Sequence, residues 1–166
     1  MTLTLYSIGH SRHSAQHFVS LLRAVEVTLL ADVRSQPVSR WAPHFTRPAL
    51  EQLLGSHGIR YVFLGRELGG RPNGAQYYLP DGTLDYALRA QSSELQAGIL
   101  RLVSLAHEQR GVMLCAEENP ERCHRRQLVT PALVSAGVSV VHLRGDGRLQ
   151  PEVAFGTASA QLGLFR

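Results

Sequence analysis

Apolar positions along the chain switch between two spacings. Residues 3–8 alternate and are rich in β-favouring side chains, which predicts a strand closed by the turn Gly9-His10-Ser11-Arg12. From 14 to 26, Phe18, Leu21, Leu22 and Val25 recur at helical spacing, and 27–33 is again a buried-strand run. Thr46-Arg47-Pro48 reads as a helix start, with Leu50, Leu53 and Leu54 as the buried stripe and Gly58 as the stop. Residues 59–64 predict a third strand, and a glycine-rich loop follows over 65–74. A short helix over 84–90 precedes a longer one over 93–108, which carries Leu95, Ile99, Leu102, Val103 and Ala106 on one face. Residues 112–114 and 138–143 predict the fourth and fifth strands, joined by a helix that begins at Asn119-Pro120-Glu121 and runs to about Ser135.

Strands alternating with helices argue for an α/β domain of three layers, αβα, with a mainly parallel sheet of about five strands. One domain is expected over 1–148, with a tail over 149–166 in which only Val153 and Phe155 suggest a pattern. Strands of a parallel sheet end on one side, so His10, Ser11, Asp32, Arg34, Arg66 and Cys115 are expected along one edge.

Composition narrows the setting. The chain has 166 residues, 44% hydrophobic and 18% charged, as expected of one globular domain. No apolar run reaches membrane-spanning length and the N-terminus has no signal-peptide pattern, so a cytoplasmic protein without membrane contact is expected. The formal charge is +4 and every basic residue is arginine, the side chain suited to bidentate recognition of phosphate and carboxylate. The partner expected is therefore an anionic small molecule or a nucleic acid. The pattern assigns neither a cofactor nor an oligomeric state.

Residues 112–126 hold the densest chemistry. Cys115 ends a strand and faces a helix start, where Arg122 and His124 are near in sequence, surroundings that favour a thiolate. Cys-to-Arg spacing is seven positions, and Glu117, Glu118 and Glu121 lie in the loop, which sets it apart from the phosphate loops of cysteine phosphatases and rhodaneses. Cys123 is a candidate partner for Cys115 in a reversible disulfide or, with His10 or His124, around zinc. Two cysteines without a C-x-x-C pair are a weak metal signal, however, and no metal ligands are assigned. Neighbours on a helix point about 100° apart, so Cys123 and His124 are not expected to address one point equally. His124 is an acid–base candidate, as are Glu117, His10 and Asp32. Arg34, Arg40, Arg66, Arg71 and Arg125, with Trp41, Phe45, Tyr77 and Tyr78 in the loops between, are candidates for gripping phosphate and stacking on a base, and Arg34, Arg40 and Arg125 are the ones taken to hold the anion. The plain alternative is an Asp32–Arg34 ion pair that joins loops.

Ser7-Ile8-Gly9-His10-Ser11, Asp32-Val33-Arg34-Ser35-x-Pro37-x-Ser39-Arg40, Gly58-Ile59-x-Tyr61 with Leu68-Gly69-Gly70, and Cys115-Ala116-Glu117-x-x-Pro120-x-x-Cys123-His124-Arg125 occur in that order. With these motifs the chain resembles, over roughly residues 3 to 145, the bacterial and archaeal family known as domain of unknown function 488. The resemblance implies a compact cytoplasmic α/β fold and no established activity. It adds Ser11, Ser39, Gly69 and Gly70 to the substrate-side candidates. The reading reached is an enzyme acting on an anionic, nucleotide-like or nucleic-acid-like substrate at a strand-end pocket. A non-catalytic nucleic-acid-binding module and a thiol redox or zinc-binding protein are its alternatives.

Overall fold

The computed structural model describes residues 2–153. In chain order the elements are β1 (Thr4–Gly9), α1 (Ala15–Ala24), β2 (Leu29–Asp32), α2 (Arg47–Ser56), β3 (Arg60–Phe63), α3 (Gly65–Leu68), α4 (Tyr86–Ala90), α5 (Ser93–Glu108), β4 (Gly111–Cys115), α6 (Thr130–Ser135), β5 (Ser139–Leu143) and β6 (Leu149–Pro151). The sheet has the order β3-β2-β4-β1-β5-β6 and is parallel except for β6, which runs antiparallel to β5. The mainly parallel α/β sheet read from the pattern is present, with six strands where about five were expected. The additional strand is short and half-exposed, so it carries no period-2 signal. It continues the sheet past residue 148, whereas Phe155 lies outside the described residues.

Each strand side feeds one of two apolar layers. Leu5, Leu29, Ala31, Met113 and Val140 pack with Leu95, Ile99 and Leu102 of α5 and Leu133 of α6. Tyr6, Ile8, Leu30, Val112 and Leu114 pack with Phe18, Leu21 and Leu22 of α1 and Leu50 and Leu54 of α2. A strand buried on both sides must be apolar at consecutive positions, and β2 and β4 are.

Strands β1 and β2 are parallel, as the α1 crossover requires, yet they are not neighbours, because β4 lies between them. The chain winds outward through β2 and β3, then returns through α5 on the opposite face. At the carboxyl ends of β2 and β4, neighbouring strands therefore send their connections to opposite faces. Such a reversal leaves a crevice.

The turn after β4 departs from the expected helix. Asn119 accepts a hydrogen bond from the Glu121 amide, but the turn Pro120–Arg122 is a single 3-10 turn, and Cys123 is extended (φ −126°, ψ 141°). Regular winding resumes at His124, passes through a π-helical turn over Arg125–Val129 and continues into α6. Pro131 cannot donate an i→i−4 bond to Gln127, which accounts for the widened turn.

Candidate functional site

A cleft of about 560 Å³ opens at the crevice between the ends of β2 and β4. Arg34, Ser35, Gln36 and Val38 line it from the segment after β2, and Cys115, Ala116, Glu117, Arg122, Cys123 and His124 from that after β4. Gly70 and Arg71 of the glycine-rich segment and Tyr86 of α4 complete the wall.

Two sulfurs and an imidazole meet inside this cleft. Cys115 Sγ lies 3.6 Å and Cys123 Sγ 3.8 Å from His124 Nδ1, and the three atoms are all within 4.8 Å of one another. The extended backbone at Cys123 produces this meeting: its side chain is released from helical phase and turns toward the point His124 addresses. The helical-wheel argument against such convergence therefore fails here, because Cys123 precedes the helix. His124 Nε2 donates to the Val33 carbonyl at 2.9 Å, so Nδ1 is the atom presented to the sulfurs. Gly70 packs on the same ring, where a Cβ would come within 2.9 Å of His124 Cγ. Hydrogen bonding from Cys123, reinforced by His124 and opposed by burial, drives the Cys115 thiol far below its ordinary range. Cys123 is pushed upward by that hydrogen bond and by burial.

Other polar strand ends are enclosed in a second layer. Arg34 donates through Nε (2.9 Å) and NH2 (2.7 Å) to the two carboxylate oxygens of Asp32, and Tyr61 donates its hydroxyl to Asp32 at 2.6 Å. The remaining Arg34 terminal nitrogen donates to the Phe45 carbonyl (2.9 Å) and to His10 Nε2 (3.2 Å). His10 Nδ1 in turn donates to the Ser11 carbonyl at 2.9 Å, and its ring stacks on Phe45 at 4.6 Å. Burial, only partly offset by the Ser11 hydrogen bond, lowers His10 from 6.5 to about 4, so it stands neutral. Asp32 is fully buried, and the Asp32–Arg34 ion pair foreseen as the plain alternative is present.

Arg125 is likewise fully buried. It donates to Ser7 Oγ (3.1 Å), to the Glu118 carbonyl (2.8 Å) and to the Glu117 carbonyl, holding the loop after β4 over β1. Gly9 permits that closeness, since a Cβ there would lie 1.8 Å from the Glu117 carbonyl oxygen. Ser11 donates its amide to the Ala116 carbonyl, Ser39 Oγ accepts from the Ala42 amide, and Arg40 is exposed. Gly69 packs against Ser35. Of the site residues named from the sequence, the cleft lining brings together Cys115, Glu117, His124, Arg34 and Gly70, and it does not include His10, Asp32, Ser11, Ser39, Arg40, Arg125 or Gly69.

Ser35, Gln36 and Tyr86 are added to that set by the structure, and the lining also includes Arg122, Cys123 and Arg71, which the sequence already marks; the Arg71 amide donates to Ser35 Oγ at 2.8 Å. Tyr86 carries no chemical signal in the sequence, where it reads only as part of a short helix. Glu118, an acid next to the cleft, is turned into a pair with Arg144 (2.9 and 3.0 Å) that lowers it to about 2 and neutralises its charge.

The family described as a domain of unknown function, DUF488, matches residues 14–130. The chain belongs to the DUF488 family. That match spans β2, the glycine-rich segment and the whole stretch from Cys115 to Arg125, while Ser7–Ser11 precedes it. No curated protein and no solved structure matches this DUF488 chain. Among its described residues no helix is long and apolar enough to cross a membrane.

Proposed function

We propose that the cleft is the active site of an enzyme that acts on a nucleotide-sized, phosphate-bearing substrate, with Cys115 as its reacting sulfur. The observation that carries this reading is the Cys115–His124 contact, 3.6 Å long, at the wall of a cleft that also displays the exposed side chains of Arg71 and Arg122. A hydrogen-bonded thiolate is the nucleophilic form of cysteine, and guanidinium groups suit phosphate. In this reading Arg71 and Arg122 hold the anion, because the donors of Arg34 and Arg125 are already engaged within the protein. Glu117, exposed in the cleft wall, is the acid–base group, and His124 supports the sulfur. The volume is that of an ordinary small-ligand pocket. His10 and Asp32 act as positioning residues: their network holds Arg34, and with it the β2 end of the cleft.

The test pairs equilibrium dialysis of adenosine monophosphate with a turnover screen of phosphoesters and nucleotides. Arg71→Ala together with Arg122→Ala is expected to weaken nucleotide binding, whereas Cys115→Ser removes turnover and leaves binding intact. Nucleotide binding indifferent to both arginines, or turnover that survives Cys115→Ser, overturns the reading. Oligonucleotide binding indifferent to all three substitutions would mark a nucleic-acid-binding module instead.

A further inference from the structure

We propose that Cys115, Cys123 and His124 form a zinc site whose fourth coordination position faces the cleft. Three independent features of the geometry support it.

The first is the ligand set and its spacing. Zinc bonds to sulfur at ~2.3 Å and to imidazole nitrogen at ~2.0–2.1 Å, so the edges of a tetrahedral site are roughly 3.5–3.8 Å long. The two sulfur–nitrogen separations, 3.6 and 3.8 Å, are of that length. Two thiolates and one imidazole make a soft set that suits zinc and is ill suited to magnesium or calcium.

The second is the surroundings of the histidine. A metal-bound imidazole characteristically donates its other N–H to a carbonyl or carboxylate, which fixes the ring and the tautomer. His124 does so to the Val33 carbonyl at 2.9 Å, and Gly70 presses on the ring from the side. Nδ1 is thereby held toward the sulfurs by two separate segments of the chain.

The third is the position in the fold. Both cysteines are buried and unlinked by a disulfide, one at the end of β4 and the other just past the 3-10 turn that follows it. A core thiol needs no histidine partner, and a burial site for two thiols does not call for an extended residue inserted between a 3-10 turn and a helix. All three ligand residues also line the cleft, so the open position faces the space where substrate would sit. Three protein ligands with one position open is the arrangement of catalytic rather than structural zinc.

The inference deepens the function proposed above, on which the role of the open position rests. Zinc holds Cys115 in the thiolate form which that function requires, and leaves one position for water or a substrate oxygen.

The experiment measures metal content and cobalt binding on the full chain. Protein isolated under reducing conditions without chelator is expected to carry about one zinc per chain, and metal-free protein titrated with cobalt(II) to show thiolate-to-cobalt charge-transfer absorption with tetrahedral d–d bands. Cys123→Ser and His124→Gln are each expected to lower zinc content below about a tenth of that value and to remove the charge-transfer band, with circular dichroism confirming the fold. Gly70→Ala, whose Cβ would come within 2.9 Å of His124 Cγ and 3.0 Å of Nδ1, is expected to displace the ring and weaken zinc affinity about 10–100-fold. If a substituted chain fails to fold, the cobalt titration of the native sequence decides the matter. Reduced native protein that takes up neither zinc nor cobalt overturns the proposal, as does a metal-free Cys115–Cys123 disulfide in protein isolated under reduction, or zinc content unchanged by Cys123→Ser. Adenosine monophosphate dialysis on metal-free protein separates the two claims: binding that still depends on Arg71 and Arg122, with no metal taken up, sinks the zinc site alone.

Discussion

Two polar clusters lie side by side at the carboxyl edge of this sheet, and they are built to opposite specifications. Around Asp32, each carboxylate oxygen receives donors from Arg34, Tyr61 adds a hydroxyl, and His10 closes the network onto Phe45, with Asp32 fully buried. Around Cys115 the partners are few and soft, and they face a cleft. A charge removed from water needs its hydrogen bonds satisfied in place, whereas the reacting sulfur proposed at Cys115 needs an unsatisfied direction toward the cleft. The polar strand ends of one sheet are thus divided between a closed network and a cleft, with Arg34 touching both.

The largest effect expected from breaking the contrast is at the closed cluster. Asp32→Ala leaves the Arg34 guanidinium buried without its counter-charge and should cost about 3–5 kcal/mol in denaturant unfolding. Cys115→Ser in metal-free protein should cost only about 1 kcal/mol by the same measurement. Equal losses at the two positions would erase the distinction.

Tyr61→Phe sharpens it, since only the hydroxyl donated to Asp32 is removed; a loss of about 1.5–3 kcal/mol is expected, as for a hydrogen bond to a charged group. A milder test is acid. His142 accepts from or donates to Ser7 Oγ at 2.5 Å and reaches Glu152 at 2.8 Å, joining β1, β5 and the end of β6, and burial lowers its pKa despite the Glu152 hydrogen bond. Unfolded histidine takes its proton near 6.5, and the buried ring takes it only at lower pH, so between those points the unfolded chain binds more protons. The stability contributed by neutral His142 is therefore complete above pH 6.5 and is lost as pH falls below it. A thermal-unfolding series should show that decline flattened in His142→Asn. Smallest in stability is Arg71→Ala, exposed in the cleft wall: within about 0.5 kcal/mol of the native value, yet with nucleotide binding weakened about tenfold or more.

Much of the frame was legible because it rests on local rules. Ser14 and Ser92 cap α1 and α5 by accepting from the His17 and Leu95 amides, and the apolar stripes of α1, α2 and α5 face the two core layers. The short strand β6 escaped, having too few positions to show a period and one face in solvent.

The candidate site was legible in its residue types and only partly in its arrangement. Cys115, Glu117 and His124 were named from the strand–loop–helix pattern, and the cleft brings them together. That the donors of Arg34 and Arg125 turn inward was not readable, since an arginine in a motif looks the same whether it meets solvent or a buried carbonyl. The convergence of Cys123 with His124 was hidden for a different reason: adjacent residues share a target only if the backbone between them leaves helical geometry, as Cys123 does.

The sequence by itself determined the alternation of strands and helices, the parallel sheet and the concentration of chemistry at the strand ends, because periodicity and capping act within a few residues. Only the tertiary structure decided which strand ends face a cleft and which face each other. That choice depends on β4 entering between β1 and β2, and on the backbone at Cys123 turning a sulfur toward a histidine whose other nitrogen is held by Val33, ninety-one positions away.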